Sequence, residues 1–258
     1  MIKAIFFDID GTLVSFKAHR ISPAVLDGLY RLREKGIKLF IATGRQREAA
    51  EGAVGVFPFD GYITVSGQFC FAGDAVLRDN PIPPDRAAQL IGLLERTGSP
   101  CVFLEGMESR TVNPDARLEL FPEQLNIPIP PVVPLREMLE RKFYQAVAFC
   151  TREEQQAAGE DFFPGLDVLR WHPAFVDIVA PGGGKDLGMD VILDHFGIDL
   201  SETMAFGDGE NDLPMLRHAG IGVAMGNAEQ MVKDEAGYVT GSVDEDGILT
   251  ALEHFELL

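Results

Sequence analysis

The sequence predicts an α/β protein, a doubly wound parallel sheet carrying an inserted α+β domain. Three observations predict it. Short apolar runs alternate with helix-periodic segments towards both ends of the chain, the pattern of β-α-β units. Three of those runs stop at reactive groups, at Asp8, at Thr43-Gly44 and at Asp208. Strands of a parallel sheet end in this way when their carboxyl ends open onto a shared crevice. Between them lies a segment of different character, entered at Asp79-Asn80-Pro81-Ile82-Pro83-Pro84 and left at Pro181-Gly182-Gly183-Gly184. Residues 1–81 and 182–258 are assigned to the sheet domain, and 82–181 to the insert.

Ala4-Ile5-Phe6-Phe7 is wholly apolar, as a strand buried on both faces should be. Extended alternation beyond it puts Asp8 and Asp10 on one side and Ile9 on the other, with Gly11 allowing a sharp turn. Ser22-Pro23 offers a helix N-cap followed by a first-turn proline. Val25, Leu26, Leu29 and Leu32 then recur at helical spacing up to Gly36. Ile37 to Ala42 is the next strand and closes a right-handed β-α-β unit. A helix to about Gly55 follows, then a strand from Tyr62 to Val65. A hairpin pairs Gln68 to Phe71 with Ala75 to Arg78.

In the insert, Asp85 to Thr97 reads as a helix with Ala87, Leu90, Ile91 and Leu94 on one face. Cys101 to Leu104, Thr111-Val112, Phe143 to Phe149, Val168 to Trp171 and Phe175 to Val179 read as strands, and Arg152 to Gly159 as a short helix. Pro122 to Pro134 holds five prolines and is read as irregular. Beyond the insert, Lys185 opens a helix whose apolar face is Leu187, Val191, Ile192 and Phe196. Thr203 to Phe206 is a strand that runs into Gly207-Asp208-Gly209-Glu210-Asn211-Asp212 and a further helix. Ile221 to Ala224 and Tyr238-Val239 are short strands. Asn227 is read as the cap of a helix to about Ala236, and Gly247 to Phe255 as a closing helix.

Composition narrows the function. The net charge of −18 opposes binding to a phosphate backbone, so no nucleic-acid partner is expected. No apolar run approaches the ~20 residues that a membrane-spanning helix needs. Lys3 and Asp8 interrupt the first apolar residues, which argues against a signal peptide. Cys70, Cys101 and Cys150 are odd in number and widely spaced, which fits buried thiols in a reducing cytoplasm. A cytoplasmic protein, monomeric or weakly homo-oligomeric, is expected.

Taken singly, the polar residues admit ordinary readings. Asp8-Ile9-Asp10-Gly11 could be an acidic turn, Thr43 a helix N-cap, Lys185 a solvated helix residue, and Asn211 and Asp212 helix caps. Asp208, directly after Met204-Ala205-Phe206-Gly207, has little structural reason to be acidic. Together, two converging carboxylates suit a nucleophile, a proton carrier and a divalent cation.

Asp8-Ile9-Asp10-Gly11-Thr12, Ala42-Thr43-Gly44-Arg45, Lys185 and Gly207-Asp208-Gly209-Glu210-Asn211-Asp212, in that order, resemble the four motifs of the haloacid dehalogenase-like phosphohydrolases. The long insert resembles the large C2-type cap of the Cof-type sugar phosphatases. The resemblance covers the whole chain and implies a Rossmann-like core with an inserted cap. Two departures stand out: Ser66-Gly67 where many members have Asn-Gly, and Asp186 where a glycine commonly follows the lysine. The run Gly182-Gly183-Gly184-Lys185 lacks the spacing of a nucleotide loop and is read as a hinge.

The resemblance implies hydrolysis of small sugar phosphates through an aspartyl-phosphate. Asp8 would be the nucleophile and Asp10 the acid and base. Mg²⁺ would be held by the Asp8 carboxylate, the Asp10 backbone carbonyl and Asp208. Asp212 would hold a metal-bound water or Lys185. Gly11, Thr43, Gly44, Lys185 and Asn211 would grip the phosphoryl group. Arg45 is a candidate for the leaving group, and Glu105, Arg110, Asn113, Arg117 and His172 are candidates for specificity in the cap. The expected partner is a small phosphorylated metabolite. A hexose phosphomutase with the same chemistry and a catalytically silent binding module are the alternatives.

Overall fold

The fold is that of a computed structural model, which describes residues 1–120, 122, 128–158, 163 and 165–258. The chain forms two units, one of Met1–Asp79 with Gly184–Leu258 and the other of Asn80–Gly183. In the first unit the strands are β1 (Ala4–Phe7), β2 (Lys38–Ala42), β3 (Gly61–Thr64), β4 (Phe69–Ala72) and β5 (Ala75–Asp79). The second unit supplies β6 (Cys101–Leu104), β7 (Ser109–Val112), β8 (Gln145–Phe149), β9 (Asp167–His172) and β10 (Phe175–Val179). The chain returns to the first unit with β11 (Thr203–Gly207), β12 (Ile221–Ala224) and β13 (Tyr238–Val239).

Among the described residues, the first unit holds an eight-stranded sheet in the order β13-β12-β11-β1-β2-β3-β4-β5. β1 pairs in parallel with both β11 and β2, so it sits at the switch point where the two halves of the unit meet. Only the hairpin edge, β4 and β5, is antiparallel. The period-2 alternation of β1 is fully used. Ile5 and Phe7 enter one apolar cluster, while Ala4 and Phe6 enter the other. Helices Pro23–Glu34, Arg47–Val54 and Gly247–His254 cover the first face through Leu29, Val54 and Leu252. Helices Lys185–Phe196, Leu213–His218 and Gln230–Glu235 cover the second through Met189, Leu216 and Val232. Ser22 caps its helix as the sequence suggests, accepting the N–H of Val25 at 3.1 Å.

The second unit is α+β. Its five strands run β7-β6-β8-β10-β9, every neighbour antiparallel. The helix Pro84–Thr97 buries Ala87, Leu90, Ile91 and Leu94 in the cluster formed by Phe103, Ala146 and Ile178. Most of the stretch from Pro122 to Ile127, and the end of the helix drawn to Gly159, lie outside the described residues. Among the described residues, no helix is long and apolar enough to cross a membrane.

One local expectation fails. The helix after Asn227 spans Gln230–Glu235 with Glu229 at its N-cap, so Asn227 does not cap it. Its side chain is used elsewhere, as described below.

Candidate active site

β1 delivers Asp8 to the edge of the core. The Asp8 N–H donates to the Phe206 carbonyl at 3.0 Å, carrying the β1–β11 ladder one step past the strand. The chain does not continue extended from there. The N–H groups of Leu13 and Val14 turn back to the Ile9 carbonyl at 3.1 and 2.8 Å, and Ile9 is fully buried. Simple alternation therefore does not place the two aspartates. The turn sends them to different partners.

Asp8 is joined to a buried cation. The Lys185 ammonium, 1% exposed, donates to Asp8 Oδ1 at 2.6 Å and to Asp212 Oδ1 at 2.5 Å. Lys185 is the first residue of its helix, so it is not a solvated surface lysine. Asp212 Oδ2 accepts the backbone N–H groups of Asp208 and Gly209 at 3.0 and 2.9 Å, closing the loop after β11 into a tight turn. Gly207 has to be glycine for that turn, because a Cβ there would stand 2.5 Å from the Asp212 Cβ. Asp10 instead meets Arg45, whose Nε and Nη2 donate to its two oxygens at 2.8 and 2.7 Å.

Asp208 is held from two sides. Thr12 Oγ1 donates to its Oδ1 at 3.2 Å, and Asn227 Nδ2 to its Oδ2 at 3.1 Å. Gly11, at φ +81°, brings the β1 loop so close that a Cβ would lie 2.2 Å from Asp208 Oδ2.

The phosphate-binding candidates frame the same end of the sheet. Thr43 is buried past the end of β2, and its hydroxyl accepts the Arg45 N–H at 3.1 Å. It does not cap the next helix, where Gln46 takes that position. Ser66 ties this loop to the lysine. Its N–H donates to the Thr43 carbonyl at 3.1 Å, and its carbonyl accepts the Gly184 N–H at 3.0 Å. Val65, Ser66 and Gly67 are all left-handed, with φ of 44°, 54° and 87°. For a β-branched residue such as Val65 that conformation is strained, a trait that clusters at functional sites. Asn211 lies half-buried in the short turn Glu210–Asp212, and Gly44 is half-buried beside Thr43.

Electrostatics favour a cation here. Oxygens of Asp8, Asp208 and Asp212 all lie within 4.8 Å of one another. Burial pushes the Asp8 carboxyl up to about 7; Lys185 opposes the shift, while Asp212 and Asp10 add to it. Asp208 is also pushed well above the ordinary carboxylate range, by burial first and then by Asp8 and Asp212. Burial alone would pull Lys185 down, but the two carboxylates outweigh it and keep the ammonium charged. Three carboxylates against one ammonium leave two negative charges unbalanced when all are ionised. A divalent cation of the hard, oxygen-seeking kind matches that deficit and that donor set.

Elsewhere the candidates have partners within the protein, although Glu105 Oε1 is buried without a hydrogen bond among the described residues. Glu105 pairs with Arg141 at 3.1 Å, Arg110 with Glu108, and Arg117 with Asp115 at 2.7 Å. Asn113 donates to the carbonyls of Leu94 and Ser99, and His172 accepts the N–H of Ala174. The three cysteines are free and buried. The sequence reads Asn227 only as a helix cap and Ser66-Gly67 only as a departure from the usual Asn-Gly, and it gives neither the Asn227 side chain nor the Ser66 backbone its role in the site. Both act through atoms far apart in the chain.

Comparison with known proteins converges on one group. Residues 5–252 match the family described as haloacid dehalogenase-like hydrolase. The putative phosphatase YkrA of Bacillus subtilis is 33% identical over 272 residues, covering 99% of this chain and 98% of its own. The structure of the HAD subclass IIB sugar phosphatase BT4131 superposes with a TM-score of 0.90 at 41% identity, covering 99% of this chain and 100% of the other. BT1666 of Bacteroides thetaiotaomicron, a phosphatase of the haloalkanoate superfamily, has a TM-score of 0.92 at 35% identity, over 100% and 96% of the two chains.

Proposed function

The chain belongs to the haloacid dehalogenase-like hydrolases and is a phosphatase; from that premise we propose that it hydrolyses small sugar phosphates through a phosphorylated Asp8. The sugar-phosphatase neighbour supports the substrate class. The observation that carries the chemistry is the shared lysine. Lys185 binds Asp8 and Asp212 at once, in a cluster that Asp208 completes.

In this reading, one carboxylate oxygen of Asp8 attacks phosphorus in line. The bond from phosphorus to the sugar oxygen breaks, and Asp10 supplies the proton which that oxygen needs. Water then attacks the aspartyl-phosphate and gives its proton to Asp10. The phosphorus bond to Asp8 breaks, inorganic phosphate leaves and the carboxylate is restored. Thr43 suits a phosphoryl oxygen: its hydroxyl already accepts from Arg45 N–H, which leaves its own hydrogen to donate. Lys185, the Gly44 amide and the Asn211 side-chain amide are the other proposed donors, whereas the Gly11 N–H expected from the sequence is already used by the Val14 carbonyl at 2.9 Å. Mg²⁺ held by Asp8, Asp208 and the Asp10 carbonyl would offset the surplus negative charge and shield an incoming phosphate from the carboxylates.

Phosphate release from a panel of hexose and pentose phosphates, with and without EDTA, tests this. Activity should need the cation and should vanish in Asp8→Asn. A near-normal rate in Asp8→Asn would sink the covalent route. Isomerisation of a hexose phosphate without phosphate release would point to a mutase instead.

A further inference from the structure

Asn227 lies outside the four stretches that carry the chemistry, yet its side chain sits where three loops meet. Its Oδ1 accepts the Val243 N–H at 2.9 Å. Its Nδ2 donates to the Gly11 carbonyl at 2.9 Å and to Asp208 Oδ2 at 3.1 Å. These partners settle which way the amide faces. Turned over, its oxygen would meet two acceptors and its nitrogen would meet a donor. The loop that carries it is pinned as well, because the Gly226 N–H donates to the Gly241 carbonyl at 2.8 Å.

The consequence falls on Asp208. Thr12 holds one of its oxygens and Asn227 the other. Each oxygen then accepts one neutral donor and keeps lone-pair capacity for a cation. An amide does this without adding charge, whereas a carboxylate at 227 would bring a further negative group to a cluster already in surplus. The link to the Gly11 carbonyl fixes the β1 loop and the β11 loop by the same nitrogen. Residues that orient a metal ligand from behind in this way commonly set its affinity.

We propose that Asn227 is a positioning residue that fixes the orientation of Asp208 towards a bound divalent cation. This rests on the proposed reading of Asp8, Asp208 and the Asp10 carbonyl as the ligands of a cation.

The test is a titration of the purified full-length protein with Mn²⁺, counting free ion by its electron paramagnetic resonance signal. Asn227→Ala should raise the Mn²⁺ dissociation constant by about 10-fold or more. Its half-saturating Mn²⁺ for phosphatase activity should rise in step, with kcat recovering towards wild type at saturation. A residue needed only for folding would lower the active fraction at every Mn²⁺ concentration instead, and that result overturns the proposal. Should Asn227→Ala fail to fold, the side-chain amide resonances of Asn227 in ¹⁵N-labelled wild type decide. They should move as Mg²⁺ is added, with the midpoint of cation binding. Unchanged Mn²⁺ affinity in a folded Asn227→Ala, or amide resonances indifferent to Mg²⁺, overturns the role of Asn227 alone. If wild-type protein binds no Mn²⁺, the carboxylate cluster is not a cation site and both readings fall together.

Discussion

Arg45 grips the carboxylate of Asp10 with two nitrogens, Nε at 2.8 Å and Nη2 at 2.7 Å. A planar fork on a carboxylate is a geometry that lysine cannot copy. It divides the labour of the first loop, leaving Asp8 to Lys185 and Asp10 to Arg45. Both Asp10 oxygens accept from Arg45, so a proton that passes through Asp10 needs one of these contacts to loosen.

Arg45→Lys should therefore disturb proton delivery more than phosphoryl binding. General acid help is typically worth ~10²–10⁴-fold, and a poor leaving group needs it most. We expect kcat for a sugar phosphate to fall by about 10-fold or more, while p-nitrophenyl phosphate, whose leaving group needs little help, is much less affected. A raised KM with unchanged kcat for the sugar phosphate alone would instead place Arg45 on the leaving group.

Lys185→Met should unfold more easily in EDTA. It removes the cation from between two buried carboxylates, and breaking a buried pair by deleting one partner typically costs ~3–5 kcal/mol. Mg²⁺ should recover part of the loss by taking over the charge balance. Urea unfolding of both proteins at pH 8, with and without Mg²⁺, measures it. A variant as stable as wild type in EDTA would contradict the buried-pair account.

Strand pattern and motif order made much of this readable in advance. Ala4 to Phe7 had to be a buried strand because nothing in it tolerates water, and Ser22-Pro23 announced its helix through cap chemistry. The ends of β1, β2 and β11 fall together because parallel strands line up their carboxyl ends. What stayed hidden was pairing. Whether Asp10 faces Arg45 or Asp8 depends on the turn at Ile9, which alternation cannot foresee. Asn227 looks like any turn asparagine until a fold carries Gly11, 216 residues away, to its amide. Ser66 contributes through its backbone, which its side chain does not advertise.

Gly11→Ala should separate the cation from the fold. The new Cβ would lie 2.2 Å from Asp208 Oδ2, so Asp208 or the loop has to give way. The left-handed φ adds a cost of its own, more than the ~0.4–1 kcal/mol that Gly→Ala gains at compatible positions. We expect Mg²⁺ affinity to drop by about 10-fold or more while the thermal transition remains cooperative. Calorimetric titration with Mg²⁺ reads the first, and a melting curve the second. Wild-type affinity in a folded Gly11→Ala would show that Asp208 is not held by this close approach.

The charge surplus also sets a pH dependence. Asp8 is raised to about 7 in the folded protein, and Asp208 is raised too. A carboxyl with a raised folded pKa binds its proton more tightly folded than unfolded. Its contribution is therefore fully present below the ordinary carboxylate range near 4 and is lost as pH rises through about 7. Without cations, the melting temperature should fall between pH 5 and pH 8. The whole acidic chain contributes to that slope through its net charge of −18, so the informative comparison is with Asp8→Asn, whose decline should be shallower. Mg²⁺ competes with those protons for the same oxygens and should raise the melting temperature more at pH 8 than at pH 5. Differential scanning calorimetry at the two pH values, in EDTA and in Mg²⁺, checks both. Equal slopes in wild type and Asp8→Asn would mean that the surplus charge of the cluster is neutralised within the protein.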